Sequence, residues 1–337
     1  MIPFSSFPHP NPIMHLSDLL STKRIIILDG AMGTELQRQG VDIGLPLWSA
    51  NALQRAPHVV RNVHFSHLNA GADILTTNTF RSNLRALRGA GMEDRWEELN
   101  LKAVQFAHEA RERYIPARPV LVAGGLAPVE DCYRPDLVPS DDELRSEHGA
   151  QARLLSMLGV DVLLVETMMH AREARIATEA CVATGREVMT SFVTREDGAL
   201  LSGEPLADAA RAVLEAGASV LLVNCVSAAH IATPLRILSD IPDATIGCYA
   251  NIGAPGPETD GVLRGDVDVH GFAEASREWV RLGARFIGGC CGSTPEHLEA
   301  LARLHSPETL IMQEEEIAAW DERRRMRWMA RREEDQE

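Results

Sequence analysis

The sequence lacks several features that would assign it to a simple class of protein. Six cysteines in 337 residues are too few for a disulfide-stabilised scaffold, and the aliphatic runs, such as Ile25–Leu28, are too short to span a bilayer. Basic residues number 33 against 48 acidic ones, and the net charge of −15 disfavours nonspecific binding to nucleic acid or to an anionic membrane. The N-terminal run MIPFSSFPHPNP lacks the basic segment and apolar core of a signal peptide. These absences predict a cytoplasmic globular protein whose partners are small molecules.

The sequence does contain a recurring pattern of short apolar runs separated by helical segments. Eight runs are predicted as strands, at 24–28, 73–77, 119–123, 161–165, 187–193, 219–223, 245–250 and 285–287. The runs are mostly continuously apolar, which is typical of strands buried on both faces. Helical segments such as 206–216 and 271–282 end at a glycine before the next strand. The pattern predicts an α/β fold, a TIM-type (β/α)8 barrel over residues 18–306, with a doubly wound open sheet as the alternative.

The two ends of the chain differ in composition from this region. Residues 1–17 are rich in proline and serine, which predicts a loose N-terminal arm. Residues 307–337 mix acidic residues with arginine and place Ile317, Trp320 and Trp328 near one helical face, which predicts a charged helical C-terminal extension. That helix would pack on its own barrel or contact a second subunit in a homo-oligomer.

Three of the six cysteines follow strands that end at the same rim of the predicted barrel. Cys225 ends strand six, and Cys290 and Cys291 follow strand eight within a glycine-rich run. Since a barrel carries its chemistry at the C-terminal ends of the strands, we expect the three thiols to converge. Three thiolates that leave a fourth position open match a catalytic Zn²⁺ site better than a closed structural one. The alternative for each cysteine is the role of a small buried apolar residue.

The remaining cysteines and a histidine pair give weaker signals. Cys181 and Cys248 fall within a helical and a strand pattern and are predicted to pack in the core, whereas Cys132, in a loop near the rim, could serve either role. His64 and His67 share one helix face but lie far in sequence from any strand end. They are predicted to be ordinary surface or packing residues.

Polar residues also follow several of the predicted strands. Asp29, Thr77, Glu166 and Asn251 lie at the ends of strands one, two, four and seven. Two carboxylates at one mouth could bind an amino group or act as acid and base. Asp29 precedes Gly30, so its alternative role is that of a turn or helix-cap acceptor. The glycine pairs do not form G-x-G-x-x-G or a P-loop, and we therefore predict no dinucleotide or ATP site.

Four segments together resemble the homocysteine S-methyltransferase family. They are ILDGAMGTELQRQG at 27–40, ADILTTNTF at 72–80, NC at 224–225 and GGCCGSTPEHL at 288–298. The resemblance extends from about residue 25 to residue 301 and implies a (β/α)8 barrel. It implies that Cys225, Cys290 and Cys291 hold Zn²⁺, with the thiol of homocysteine in the open position.

The same resemblance implies roles for polar residues at the mouth. Asp29 and Glu166 match positions that bind the amino group of the substrate, and Thr77 matches a substrate-binding threonine. We group Asn251 with them as a substrate-binding candidate because of its place after strand seven.

The reaction implied by the resemblance is methyl transfer from a positively charged donor to homocysteine, giving methionine. LWSANAL at 47–53 resembles the branch that uses S-methylmethionine or S-adenosylmethionine, and a betaine-type, quaternary ammonium donor is the alternative. Since such donors favour aromatic faces, Trp48, Phe80 and Phe192 are candidate donor contacts. A zinc hydrolase is disfavoured because its ligands usually include histidine and carboxylate. A non-enzymatic zinc or thiol sensor would use the C-terminal helix to bind a partner.

Overall fold

Eight parallel strands surround one axis in the computed structural model, which describes residues 13–114, 118–253, 267–306 and 309. The strands are β1 (Ile26–Ile27), β2 (Ile74–Thr76), β3 (Leu121–Leu126), β4 (Val162–Met168), β5 (Glu187–Phe192), β6 (Val220–Ser227), β7 (Ile246–Asn251) and β8 (Ala284–Gly289). Their order is β1-β8-β7-β6-β5-β4-β3-β2, and the Asp73 amide donates a 2.7 Å hydrogen bond to the Ile27 carbonyl where β2 meets β1. The predicted (β/α)8 barrel is therefore confirmed over the open sheet.

Helices lie between the strands and cover the outside of the barrel. They are α1 (Leu16–Thr22), α2 (Gly33–Arg38), α3 (Ala52–Arg55), α4 (Pro57–Asn69), α5 (Leu84–Gly89), α6 (Trp96–Arg113), α7 (Asp141–Met157), α8 (Ala171–Val182), α9 (Leu206–Glu215), α10 (Ala232–Ser239), α11 (Val269–Arg281) and α12 (Pro295–Leu304). Gly217 and Gly283 follow α9 and α11 with φ of 104° and 99°, a conformation that glycine adopts readily at a helix end. Within the described ranges, none of the helices is both long and apolar enough to cross a bilayer.

Both faces of the strands are buried, as the continuous apolar runs predicted. In β4, Val162 and Leu164 belong to the cluster inside the barrel, whereas Leu163 and Val165 belong to the cluster beneath the helices. This alternation follows from the two-residue period of a strand. The next inward position in β4 is Glu166, so the same alternation brings a carboxylate into the mouth of the barrel.

Helix α1 lies at the opposite, N-terminal end of the barrel. Leu16 and Leu19 join the inner apolar cluster, and the Leu16 amide donates a 2.9 Å hydrogen bond to Glu187 at the start of β5. This helix begins inside the segment 1–17 that was predicted to be a loose arm, because its two leucines bury apolar surface against the strands. Residues 1–12 and, except for residue 309, the predicted C-terminal extension lie outside the described residues.

Candidate active site

Three thiols meet at the C-terminal mouth of the barrel. The Sγ atoms of Cys225, Cys290 and Cys291 lie within 4.8 Å of one another, and those of Cys225 and Cys290 are 3.1 Å apart. Cys225 is buried, and the other two are half-buried. The structure thus brings together the three cysteines that the sequence pattern selected, in an arrangement that could hold a metal ion.

Local irregularities of the backbone direct these thiols to one point. Cys225 has a φ of 54° and lies where the register of β6 against β7 shifts, so that its side chain leaves the regular alternation. Beyond β8 the chain turns sharply, and the Ser293 amide donates a 3.0 Å hydrogen bond to the Cys290 carbonyl. A Cβ atom on Gly289 would lie 2.2 Å from Ser293 Oγ, so only glycine fits this turn.

The turn after β8 is joined to the loop after β1. The Ala31 amide donates to Ser293 Oγ at 3.1 Å, and the Gly292 amide donates to Thr34 Oγ1 at 2.9 Å. The two most distinctive motifs of the sequence, DGAMGT and GGCCGST, therefore form one hydrogen-bonded unit at the mouth.

Asn224 links the cysteine-bearing strand β6 to β4 and β5. Its Oδ1 accepts hydrogen bonds from the Thr167 amide at 3.1 Å and the Ser191 hydroxyl at 2.6 Å, and its Nδ2 donates to Thr167 Oγ1 at 2.7 Å. Thr167 has a φ of 61° and directly follows Glu166. The fully buried asparagine thus fixes irregular backbone beside both a candidate metal ligand and a candidate substrate-binding carboxylate.

Replacing Asn224 with alanine is expected to lower the free energy of unfolding by about 2–4 kcal/mol, because the Thr167 amide and the Ser191 hydroxyl lose their buried acceptor. Urea unfolding of the wild type and the variant measures this difference. Asn62→Ala, at an exposed position of α4, is the matched control and should leave stability nearly unchanged. Equal stability of Asn224→Ala and the control would show that the hydrogen bonds of Asn224 contribute little.

Two buried carboxyl groups lie beside the thiols. Asp29 accepts hydrogen bonds from the Thr76 amide at 2.7 Å and the Thr76 hydroxyl at 3.0 Å. Burial nevertheless raises the pKa of Asp29 to about 7. Burial, followed by the charges of Cys290 and Asp29, raises the pKa of Glu166 well above its usual range. Two carboxylates in such a place are costly to ionise unless a cation binds between them.

Thr76 lies next to Asp29, and Thr77, the predicted substrate-binding threonine, is the following residue. The Thr77 hydroxyl is buried and engaged with Thr79 Oγ1 at 2.8 Å and the Gly125 amide at 3.2 Å. A Cβ atom on Gly125 would lie 2.5 Å from Glu166 Oε1 and 3.3 Å from the Thr76 methyl group. The missing side chain of Gly125 therefore provides the space in which the Glu166 carboxyl group lies beside Thr76.

The inner positions of β7 add two polar side chains to the mouth. Asn251 is fully buried, and neither polar atom of its side chain has a hydrogen-bond partner among the described residues. The hydroxyl of Tyr249 faces Ser191 and Glu166 but makes no hydrogen bond of ordinary geometry within the same set of residues. Unpartnered buried polar atoms at a strand end are typical of groups that bind a ligand. Asn251 was predicted from the sequence, whereas Tyr249, two residues earlier on the same face of β7, was not.

A second tyrosine that the sequence analysis missed lies on the loop after β3. The side chain of Tyr133 is partly exposed, and the charge of Cys225 raises the pKa of its hydroxyl, which places that hydroxyl near the thiol cluster. Its neighbour Cys132 is buried and lies close enough to interact with Cys290. The position of DCYRP after a strand end is the signal that could have identified Tyr133 in the sequence.

Two of the three aromatic candidates form a pair. Trp48 and Phe80 pack edge to face with ring centroids 5.6 Å apart, and the indole ring of Trp48 lies so close to Gly33 that a Cβ atom there would be 2.3 Å from it. Phe192, in contrast, is fully buried in the apolar cluster beneath the helices. Phe192 points away from the barrel interior because it alternates with the inward-facing Ser191. The prediction that Phe192 contacts a donor is therefore not supported.

His64 and His67 are buried packing residues on α4, and their ring nitrogens have no hydrogen-bond partner in the described structure. Burial lowers the pKa of His64 to about 3 and that of His67 to about 4. Histidines with depressed pKa values are neutral in the folded protein, whereas the unfolded chain binds protons below its ordinary pKa of about 6.5. Stability is thus expected to be retained above this pH and lost progressively as the pH falls from about 6.5 to about 4.

Substitution of His67 with glutamine should weaken this pH dependence. Each buried histidine lowers the free energy of unfolding by about 2 kcal/mol at pH 5 relative to pH 7.5, so the variant should lose about 2 kcal/mol less than the wild type over this interval. Urea unfolding of both proteins at the two pH values measures the difference. The same loss in both proteins would contradict the assignment of a buried, neutral His67.

Comparisons with known proteins agree with this geometry. The sequence pattern of the family described as homocysteine S-methyltransferase matches residues 26–305. The chain is 30% identical over 309 residues to the homocysteine S-methyltransferase YbgG of Bacillus subtilis (87% of this chain, 97% of the relative). It is also 30% identical over 304 residues to the homocysteine S-methyltransferase of Escherichia coli (85% of this chain, 97% of the relative). The metallated form of the Escherichia coli homocysteine methyltransferase MmuM superimposes with a TM-score of 0.76 at 28% identity, covering 86% of this chain and 99% of that one.

The fold, the mouth residues and these similarities define a methyltransferase enzyme built on a TIM-type barrel. The chain belongs to the homocysteine S-methyltransferase family. The resemblance drawn from the four sequence motifs is thereby confirmed.

Proposed function

We propose that the protein transfers a methyl group from a sulfonium donor, S-methylmethionine or S-adenosylmethionine, to the thiol of L-homocysteine in a zinc-dependent reaction that gives methionine. The observation that carries this proposal is the group of three thiols within 4.8 Å of one another at a barrel mouth that also holds two buried carboxyl groups.

The donor set fits a zinc ion. Three sulfur atoms at these separations suit a soft tetrahedral cation and leave one position for a ligand. Hydrogen bonds from Cys225 and Cys291 lower the pKa of Cys290, whereas hydrogen bonding to Cys290 raises the pKa of Cys225. The protein alone therefore favours one thiolate, and further deprotonation of the buried cluster calls for a cation. When bound, Zn²⁺ would stabilise a substrate thiolate at the open position at neutral pH.

Asp29 and Glu166 are suited to bind the ammonium group of homocysteine. Both are buried, burial raises the pKa of each, and among the residues that the structure describes no basic side chain offsets that rise. A bound ammonium group supplies that charge and favours the ionised form of both groups. The amide of Asn251, which has no hydrogen-bond partner among the described residues, can donate to or accept from the remaining polar atoms of the amino acid.

The Trp48–Phe80 pair is suited to bind the donor, since aromatic faces attract an organic cation. The homocysteine sulfur forms a bond to the methyl carbon while the bond from that carbon to the sulfonium sulfur breaks. The electron pair of the broken bond stays on the donor sulfur, which leaves as a neutral thioether and needs no proton.

A donor panel tests the proposal. Purified zinc-loaded protein is mixed with homocysteine labelled with ¹³C in its carbon chain and with unlabelled S-methylmethionine, S-adenosylmethionine or betaine. Mass spectrometry should detect labelled methionine from at least one sulfonium donor and less from betaine. Labelled methionine from neither sulfonium donor would contradict the proposal, and a higher kcat/KM with betaine would reverse the choice of donor.

A further inference from the structure

Arg81 differs from the arginines around it in the partner of its guanidinium group. Arg85 pairs with Glu130 and Glu143, and Arg88 pairs with Glu93. Arg81 instead donates a 3.1 Å hydrogen bond to the backbone carbonyl of Glu130, and among the residues that the structure describes no carboxylate forms an ion pair with it.

The carboxylates of Glu130 and Asp131, on the loop that supplies the accepting carbonyl, have other partners. The Glu130 side chain binds Arg85, and Asp131 Oδ1 accepts a 2.8 Å hydrogen bond from the Tyr133 amide. In a chain with a net charge of −15, a half-buried guanidinium with only a carbonyl partner is available to bind an anion.

The position of Arg81 connects this guanidinium to the donor side of the mouth. Its Cζ lies 6.0 Å from the ring centroid of Phe80, which packs against Trp48. On its other side Arg81 lies near Cys132, where its charge partly opposes the burial that raises the pKa of that thiol to about 12. Cys132 in turn interacts with the Cys290–Cys291 turn. The guanidinium thus lies beside the aromatic pair, at Phe80.

We propose that Arg81 binds the carboxylate of the methyl donor, so that the site selects a zwitterionic sulfonium compound over a simple cation. This inference rests on the proposed function and specifies the chemical class of its donor. The aromatic pair attracts the sulfonium centre. The planar guanidinium donates two parallel, charge-assisted hydrogen bonds to the carboxylate. A donor without a negative group would place an uncompensated cation near the positive charge of Arg81, which is unfavourable.

The test compares two donors in three proteins. The donors are S-methylmethionine and its carboxamide, which keeps the sulfonium group and loses the carboxylate. The proteins are the wild type, Arg81→Gln and the matched control Arg85→Gln, which removes a charge from the same region and breaks the contact with Glu130 without facing the donor.

In Arg81→Gln the KM for S-methylmethionine should rise about 10- to 100-fold, which is the effect expected from the loss of a charge-assisted hydrogen bond. The KM for the carboxamide should stay the same or fall, and that for homocysteine should not change.

Other outcomes separate the alternatives. An equal rise in KM for both donors would show that Arg81 only supports the loop through the Glu130 carbonyl. A rise in KM for homocysteine alone would show that Arg81 binds homocysteine and not the donor. Either result overturns the inference and leaves the proposed function intact. An equal effect of Arg85→Gln would also overturn it. Arg81→Lys, which keeps the charge, should recover part of the affinity for S-methylmethionine. No methyl transfer by the wild type from any sulfonium donor would overturn the proposed function and this inference together.

Discussion

Replacing Cys290 with alanine is expected to remove bound zinc and to lower methyl transfer by more than about 100-fold, while the barrel remains folded. The two remaining thiolates no longer complete the metal site. Methyl transfer should therefore fall further than it does when a residue that only supports a metal ligand is changed. The fold should persist because Cys290 is half-buried at the edge of the inner and outer apolar clusters and is not among their buried members. Zinc content by elemental analysis, circular dichroism and the rate of methionine formation measure the three effects.

Matched controls come from the other cysteines of the chain. Cys291→Ala should behave as Cys290→Ala does. Cys132→Ala removes a buried thiol near the cluster but outside the group of three, and Cys248→Ala removes a buried thiol within β7. Both controls should retain one zinc ion per chain and most of the activity. Retention of one zinc ion by Cys290→Ala, or its loss from Cys132→Ala, would show that the ligands are assigned incorrectly.

Replacing Glu166 with glutamine is expected to lower kcat/KM for homocysteine by about 100-fold and to leave the thermal midpoint unchanged or higher. The variant loses a charge-assisted contact to the ammonium group of the substrate. In the absence of substrate the ionised carboxylate of Glu166 destabilises the fold, because burial raises its pKa. The destabilisation grows as the pH rises above the pKa that the same glutamate has in the unfolded chain. Activity and stability should therefore change in opposite directions, which a substitution that damages the fold would not produce.

The control for this prediction lies at the other end of the barrel. Glu187 begins β5 and accepts hydrogen bonds from α1, so Glu187→Gln should affect stability and leave the KM for homocysteine unchanged. Kinetics at varied homocysteine concentration and thermal unfolding at pH 8 measure both variants. An unchanged KM in Glu166→Gln would remove this residue from the substrate site.

The barrel could be predicted from the sequence because its determinants are local and repeated. Each buried parallel strand is marked by a short apolar run, and each helix by its own pattern and terminal glycine. The predicted ends of three strands were less accurate: β3, β4 and β6 continue three or four residues beyond the apolar runs. The predicted β3 stopped at Gly124, and the predicted β4 and β6 stopped at the first polar residue, whereas Glu166 and Asn224 continue the inward-facing alternation into the mouth.

The orientation of the site residues could be predicted only in part. The convergence of the cysteines follows from topology, since all strands of a barrel end at one mouth. The details depend on Thr167 and Cys225, which have positive φ values that such residues rarely adopt and that no glycine marks in the sequence. Phe192 was chosen because it is aromatic and lies near a strand end, but the face of the strand on which its side chain lies places it in the outer apolar cluster.

X-ray absorption at the zinc edge tests the central claim most directly. The zinc-loaded protein should show three sulfur neighbours at about 2.3 Å and one lighter atom, and addition of homocysteine should raise the number of sulfur neighbours to four. That result requires that the three cysteines are ligands, that the fourth position is open and that the substrate thiol fills it. A sulfur number that does not change with homocysteine, or a site dominated by nitrogen and oxygen, would contradict the account.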